Sequence, residues 1–231
     1  MTNTLTGAPV TGFTALLNGP RVVISAPGFI TRDTRSTATK VDLFPTTAFD
    51  VEFYRQIARG SVDGPPDPLY VLPFAPNFYM EVEGVKGFSK ETAARLEAIA
   101  RKLLPIMTGG KFQATVFETG PTPRAPQSGW IVIERTNLST GLCGTVGENG
   151  IGAFAGHILL DSNNRCRLDP VFAHELGHAM GFFHVDRVGS MMYPTQLSNL
   201  AAADAPTEAE ARAMAFAYAR PRGNRDVDVD P

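Results

Sequence analysis

The feature that most constrains this chain is residues 174–184, which read His-Glu-Leu-Gly-His-Ala-Met-Gly-Phe-Phe-His. On a helix, His174 and His178 are one turn apart and project to the same side. Gly181 can adopt a left-handed conformation and end that helix. The chain can then turn back and bring His184 toward the other two histidines. The sequence therefore predicts a helix, a tight turn and three imidazoles that face one point.

Three imidazoles in this arrangement are suited to hold Zn²⁺. We predict His174, His178 and His184 as ligands of one catalytic zinc ion, with Zn–N distances of about 2.0–2.1 Å. Three protein ligands leave one coordination position open for water, as in catalytic rather than structural zinc sites. Glu175 is rotated away from the two helical histidines. We therefore predict it as the general base that takes the proton of a metal-bound water.

The alternative is that these histidines are ordinary core residues. A bare HExxH recurs by chance, but five fixed positions have a chance probability below about one in 10⁵ in a chain of this length. Three of the four histidines of the protein lie in this window, and the fourth is His157. Buried histidines at that density are hard to satisfy without a metal. A second metal at His157 is conceivable, but we favour a histidine satisfied within its strand.

The string at residues 174–184 resembles the extended zinc motif of the metzincins. Residues 190–194, Ser-Met-Met-Tyr-Pro, are similar to the Met-turn that runs beneath the metal in that family, with Met192 as its methionine. The following Tyr-Pro resembles the matrixin branch. Pro194 stands where an astacin-like tyrosine ligand would be, so the resemblance implies no such ligand. The resemblance covers roughly residues 70–222 and is closer to a bacterial matrixin-like or unclassified metzincin than to an animal branch.

This resemblance implies an α+β fold. It comprises a metzincin-like catalytic domain with a twisted mixed β-sheet, an active-site helix, a Met-turn and a C-terminal helix, preceded by a β-rich N-terminal region. It also implies a zinc-dependent metalloendopeptidase that hydrolyses peptide bonds with a zinc-bound water activated by Glu175. Metzincins bind an extended peptide on an edge strand above the metal. Our candidate strand is Gly144 to Phe154, and Tyr193, Pro194 and the residues after them are candidates for the pocket wall.

Two other functions stay open. One is a catalytically silent zinc-binding module for adhesion or recognition, against which an intact Glu175 argues. The other is a metal hydrolase that acts on something other than peptides, which a Met-turn disfavours.

Local patterns divide the chain into a β-rich N-terminal region and linker at 1–66, a zinc metalloprotease domain at 67–222 and a flexible tail at 223–231. Strands are predicted near 78–85, 112–117, 130–133 and 151–160. One helix is predicted to begin after the N-cap Ser89 and to be ended by Pro105 and Gly109-Gly110, a second from about Pro170, and a third from Thr207, which has capping-box spacing with Glu210. The last six residues alternate Asp and Val. We expect a frayed tail there rather than a calcium site, and the sequence assigns no structural calcium ion.

Cys143 and Cys166 are too far apart for a CxxC motif. Both lie in loop-like sequence, so a disulfide is favoured over two unrelated buried thiols. A disulfide implies an oxidising compartment. We therefore expect a secreted or extracellular protein, although residues 1–20 show no signal-peptide pattern.

The formal net charge of the chain is -2. It provides no electrostatic reason to expect nucleic acid or an anionic membrane as a partner. No apolar run is long enough for a membrane helix. We expect a monomer whose partner is a protein or peptide substrate.

Overall fold

The computed structural model of the chain describes residues 1–48, 50–62, 64–85, 87–139, 141–147, 156–163, 166–194, 203–225 and 227–231. The first part of the chain is β-rich, as the sequence predicts. Its five strands are β1 (Thr2–Asn3), β2 (Thr14–Asn18), β3 (Arg21–Ser25), β4 (Arg32–Arg35) and β5 (Asp42–Leu43). Strands β2, β3 and β4 form an antiparallel sheet, and β1 pairs with β5 in parallel. Apolar residues around Ile24 and Leu43 form a small core of this region.

A helix that the sequence analysis missed follows this region. Residues 51–57 were expected to belong to the β-rich part, whereas helix α1 spans Val51–Arg59. The Asp50 side chain caps its first turn by accepting the N–H of Phe53, and Gly60 ends it in a left-handed conformation at φ 68°. Both signals are visible in the sequence, because Asp is a preferred N-cap and Gly a preferred residue after the helix end.

The main sheet has five strands in the order β7-β6-β8-β10-β9. Their ranges are β6 (Asn77–Glu81), β7 (Phe117–Gly120), β8 (Trp130–Thr136), β9 (Gly144–Val146) and β10 (Gly156–Asp161). Four of the strands are parallel, and β9 runs antiparallel to β10 at one edge. The sheet is therefore mixed, as predicted. The strand expected at 112–117 begins only at Phe117, and residues 151–155 of the expected 151–160 strand lie outside the described residues.

Three further helices accompany this sheet: α2 (Lys90–Met107), α3 (Leu168–Ala179) and α4 (Glu208–Tyr218). Ser89 and Thr207 cap α2 and α4 as predicted, and Thr207 forms the expected capping box with Glu210. Pro105 does not end α2, because it lies within the last turn of the helix. The helix continues to Met107, before the left-handed Gly109 and Gly110. Together these elements confirm the predicted α+β class.

The hydrophobic core lies between one face of the main sheet and the helices. Alternate residues of the three central strands point into it, including Phe78, Ile131 and Ile158. They meet apolar side chains from α2, α3 and α4, and also Phe53 and Ile57 of α1. Helix α1 lies on the N-terminal side of the predicted domain boundary at residue 66. The division into three parts stays a prediction. Helix α1 packs into the same hydrophobic core as α3, the helix that carries the histidines.

The C-terminal segment differs from the frayed tail that its Asp-Val alternation suggests. Val229 forms a parallel bridge with Asp33 of β4, so the segment extends the N-terminal three-stranded sheet. Asp228 and Asp230 are 0% and 6% exposed. The Asp230 carboxylate accepts hydrogen bonds from Arg32 at 3.0 Å and from Thr34 at 2.6 Å. The prediction of a frayed tail placed these carboxylates in solvent. They are buried instead, because arginines from distant parts of the chain pair with them.

These pairs form a buried ionic network of five residues. Arg220, just after α4, is fully buried and binds Asp228 and Asp42, the latter at 2.9 Å. Arg32 joins Asp42 to Asp230 at 2.6 and 3.0 Å. Burial alone would raise the pKa of Asp42, but Arg220, Thr4 and Arg32 together hold it below its ordinary value. The network thus connects the N-terminal strands, the end of α4 and the C-terminal segment.

Asp228→Ala is expected to lower the free energy of unfolding by about 3–5 kcal/mol, because Arg220 stays buried after losing its fully buried partner. The measurement is denaturant unfolding of the variant and of the wild-type protein under the same conditions. Arg212→Ala is the control, since Arg212 pairs with Glu208 at an exposed site and its loss should cost less than about 1 kcal/mol. Equal effects of the two substitutions would show that the network does not stabilise the fold.

Cys143 and Cys166 form a disulfide, with Cα atoms 6.0 Å apart. This confirms the prediction and excludes two unrelated thiols. A cross-link that closes a loop of this size stabilises a fold by about 3 kcal/mol. The bond joins the residue before β9 to the segment that leads into α3.

Among the described residues, no helix has the length and apolar character that a membrane crossing requires.

Candidate metal centre

Helix α3 carries the first two histidines. Pro170 lies in its first turn, where a missing N–H costs no helical hydrogen bond. His174 and His178 follow on one face, one turn apart. Gly177 lies between them, and a Cβ built on it would come within 2.3 Å of the Met192 sulfur. A side chain at position 177 would therefore require the Met192 side chain to move from its present position against this helix.

A tight turn then delivers the third histidine. Gly181 has φ +99°, and a side chain there would also meet the Tyr70 carbonyl oxygen at 2.9 Å. Its N–H donates to the His178 carbonyl at 2.9 Å, and the next N–H, of Phe182, donates to Gly177 at 3.0 Å. These bonds end the helix as the sequence predicts. The chain reverses, and the His184 ring comes to lie beside His178.

The three imidazoles meet through their Nε2 atoms. The Nε2 of His178 is 3.1 Å from that of His174 and 3.2 Å from that of His184. Two nitrogens bound to one tetrahedral zinc at about 2.0–2.1 Å would be separated by about 3.3–3.4 Å. The observed spacing therefore fits a zinc-sized cation. Among the described residues, these histidines are the group of His, Cys, Asp and Glu side chains that could hold a metal ion.

Backbone carbonyls orient two of the rings. His174 Nδ1 is 2.8 Å from the Met191 carbonyl oxygen, and His178 Nδ1 is 2.7 Å from that of Phe182. A carbonyl can only accept, so each Nδ1 donates and each Nε2 keeps its lone pair. Burial lowers the pKa of His174 to about 4, and burial with the neighbouring histidines lowers the pKa of His178 well below its ordinary value. Both rings are therefore neutral near pH 7 and ready to bind a cation.

Glu175 lies next to this cluster on α3 and is 6% exposed. Burial raises the pKa of its carboxyl group to about 8. A divalent cation held by the three imidazoles would favour the charged carboxylate again. The side chain is close to the backbone of Gly144 at the start of β9, since a Cβ built on that glycine would lie 2.7 Å from Glu175 Oε1. The candidate base thus extends from the histidine-bearing helix toward the edge strand.

The predicted Met-turn passes beneath the histidines. The Met192 carbonyl accepts the N–H of Val185 at 3.0 Å, which ties the turn to the segment after His184. The Met192 N–H donates to Glu210 Oε1 at 3.0 Å. The other oxygen of Glu210 accepts from the N–H and hydroxyl of Thr207. From the sequence, Glu210 is predicted only as a capping residue, because nothing in the sequence shows that α4 lies against the Met-turn.

The predicted substrate-binding elements are described only in part. Residues 144–146 form the edge strand β9, as expected, whereas 148–154 lie outside the described residues. Tyr193 is half-buried and Pro194 is exposed beyond the Met-turn. Residues 195–202, which were expected to continue the pocket wall, also lie outside the described part of the chain.

His157 is separate from the histidine cluster. It lies on β10, and its Nε2 is 3.2 Å from Glu134 Oε2 on the neighbouring strand β8. This is the satisfied strand histidine that the sequence analysis favoured over a second metal ligand.

The mixed sheet, the histidine-bearing helix and the Met-turn define the metzincin class of metallopeptidases. The family model described as matrixin (Peptidase_M10) matches residues 89–212, which include all three histidines, Glu175 and the Met-turn. The chain therefore belongs to the matrixin family, whose members are zinc-dependent peptidases. A comparison with curated proteins returns no match.

Proposed function

We propose that this protein is a zinc-dependent endopeptidase, with His174, His178 and His184 as the metal ligands and Glu175 as the general base. The observation that carries the proposal is the convergence of three Nε2 atoms, two of them 3.1 and 3.2 Å from the third. Three ligands of one type leave a zinc coordination position open, as catalysis requires.

A bound zinc ion would supply Lewis-acid chemistry, by polarising the scissile carbonyl and making a water molecule more acidic. Glu175 would accept the proton of that water as it attacks the carbonyl and then pass the proton to the leaving amine. The Glu175 side chain suits this role because it is buried beside the ligands and lies close to Gly144, the first residue of the edge strand β9. The carbonyls of Met191 and Phe182 would keep the His174 and His178 rings in the orientation that metal binding requires.

The substrate would bind as an extended peptide along β9. This strand pairs with β10 on one side and lies at the edge of the sheet on the other. A peptide could add its backbone hydrogen bonds to that edge, as in β-augmentation. Tyr193 and Pro194 would then contribute to the wall of the pocket beyond the scissile bond.

We further propose that the protein acts as a monomer outside the cytoplasm. The support for this location is the Cys143–Cys166 disulfide, because such bonds persist mainly in oxidising compartments.

Zinc removal is the test of this function. The zinc-loaded protein is expected to cleave casein or a quenched peptide, to lose this activity when zinc is removed with a chelator, and to regain it when zinc is restored in equimolar amount. The measurements are zinc per chain by atomic absorption and the cleavage rate. Protein that holds one zinc per chain and cleaves no protein or peptide would instead support a catalytically silent recognition module.

A further inference from the structure

Gly144 is a glycine whose backbone conformation does not require glycine. It is absent from the positive-φ residues of the described chain. The reason for glycine at this position is space. A Cβ built on Gly144 would lie 2.6 Å from Glu175 Cγ, 2.7 Å from Glu175 Oε1 and 2.7 Å from Val171 Cγ1. The first residue of β9 is thus in direct contact with the side chain of the proposed base.

Of the two side chains in this contact, Val171 has less freedom to move than Glu175. Val171 is β-branched and lies within α3, where its χ1 angle has one strongly preferred value. Glu175 is on the same helix, one turn further on, and is buried. A methyl group at position 144 would therefore displace the Glu175 carboxylate or push β9 away from α3.

A covalent bond holds β9 in this place. Cys143 immediately precedes Gly144 and is 2% exposed. Its sulfur is bonded to Cys166, two residues before α3 begins at Leu168. Its carbonyl accepts the N–H of Asp161 at 2.8 Å. Strand β9 has three residues and pairs only with β10 among the described strands. The disulfide therefore fastens a short edge strand to the start of the helix that carries Glu175.

We propose that Gly144, held against α3 by the Cys143–Cys166 disulfide, is a positioning residue that sets the place of the Glu175 carboxylate. The disulfide is then part of the catalytic arrangement as well as of the fold. This inference rests on the proposed role of Glu175 as the base. It assigns a function to two features, a glycine and a disulfide, that the zinc motif does not include.

The first test is Gly144→Ala. We expect kcat on a quenched peptide to fall about 100-fold, as a displacement of about 1 Å in a catalytic group can cause. Zinc content should stay near the wild-type value because the ligands are unchanged, and KM should change less than kcat because the added methyl group faces α3 rather than the free edge of β9. Gly64→Ala is the control, because Gly64 lies outside the histidine cluster and the proposed substrate strand. A Cβ there would meet no atom within 4 Å, and kcat should be unchanged.

The second test removes the bond without adding atoms beside Glu175. The double variant C143S/C166S is expected to bind one zinc and to lose about tenfold in kcat. The loss should be smaller than in Gly144→Ala, because an unfastened β9 displaces Glu175 less than a direct clash does. The β9 strand of the double variant should also exchange amide hydrogens faster than the wild type. The readout is the N–H of Gly147, the residue directly after β9, which donates to the His157 carbonyl at 2.7 Å. This variant decides the question if Gly144→Ala does not fold.

The proposal is overturned if either variant is folded, holds full zinc and has the wild-type kcat. It is equally overturned if Gly64→Ala loses as much activity as Gly144→Ala, because the contact with Glu175 would then be irrelevant. A failure of the proposed function is distinguishable from these outcomes. Wild-type protein that binds zinc and cleaves nothing would show it before any variant is compared, and the inference would fall with it.

Discussion

Glu175→Gln is expected to lower kcat/KM on a peptide substrate by about 10²–10⁴-fold, the usual contribution of a general base, while one zinc per chain remains bound. Gln has the shape of Glu but lacks a basic carboxylate. Zinc should stay because the converging atoms of the metal site are imidazole nitrogens. The measurements are steady-state kinetics and metal content on the same preparation.

Glu134→Gln is a matched control for this substitution. Glu134 is also a buried glutamate, 9% exposed, but it lies on β8 and is paired with His157. Its replacement should leave kcat/KM near the wild-type value. If Glu175→Gln keeps zinc and cleaves at the wild-type rate, the base is another group. If it loses zinc, Glu175 supports the metal more directly than the geometry suggests.

His178→Ala is expected to abolish proteolysis and to weaken zinc binding more than about 100-fold. Loss of an outer-shell partner alone costs about 10–100-fold, and His178 is at the centre of the cluster. Its Nε2 is within 3.2 Å of both other Nε2 atoms. The measurement is competitive zinc titration against a chromogenic chelator, together with the cleavage rate.

His157→Ala provides the comparison for that experiment. It removes a histidine that is outside the cluster, so zinc affinity and activity should change little. Unchanged zinc affinity in His178→Ala, or a loss of zinc in His157→Ala as large as in His178→Ala, would contradict the assignment of the ligands.

Much of the candidate metal site was predictable because its geometry is local. The one-turn spacing of His174 and His178 is a property of any α-helix. The turn at Gly181 depends on a conformation that glycine adopts readily. Ser89 and Thr207 mark helix starts through bonds to N–H groups two or three residues away. Patterns of this kind need no knowledge of distant residues.

The errors arise where local patterns compete. Helix α1 was assigned to a β-rich region because Val51, Phe53 and Tyr54 also favour strands, although Asp50 and Gly60 mark its ends. The C-terminal Asp-Val alternation suggested a frayed tail, because the sequence does not show which cations lie near it. Arg32 and Arg220, which are far apart in the chain, both bind aspartates of that segment.

The sequence by itself determined the identity and spacing of the three histidines, the adjacent carboxylate, the Met-turn and the class of fold. The tertiary structure decided what surrounds them: the carbonyls that orient two rings, the bond from Met192 to Glu210, and the contact of Gly144 with Glu175. The physical reason is that a helix fixes the relative directions of its own side chains over one turn. Which backbone groups approach those side chains depends on how the sheet, α3 and α4 pack together, and residue spacing does not encode that packing.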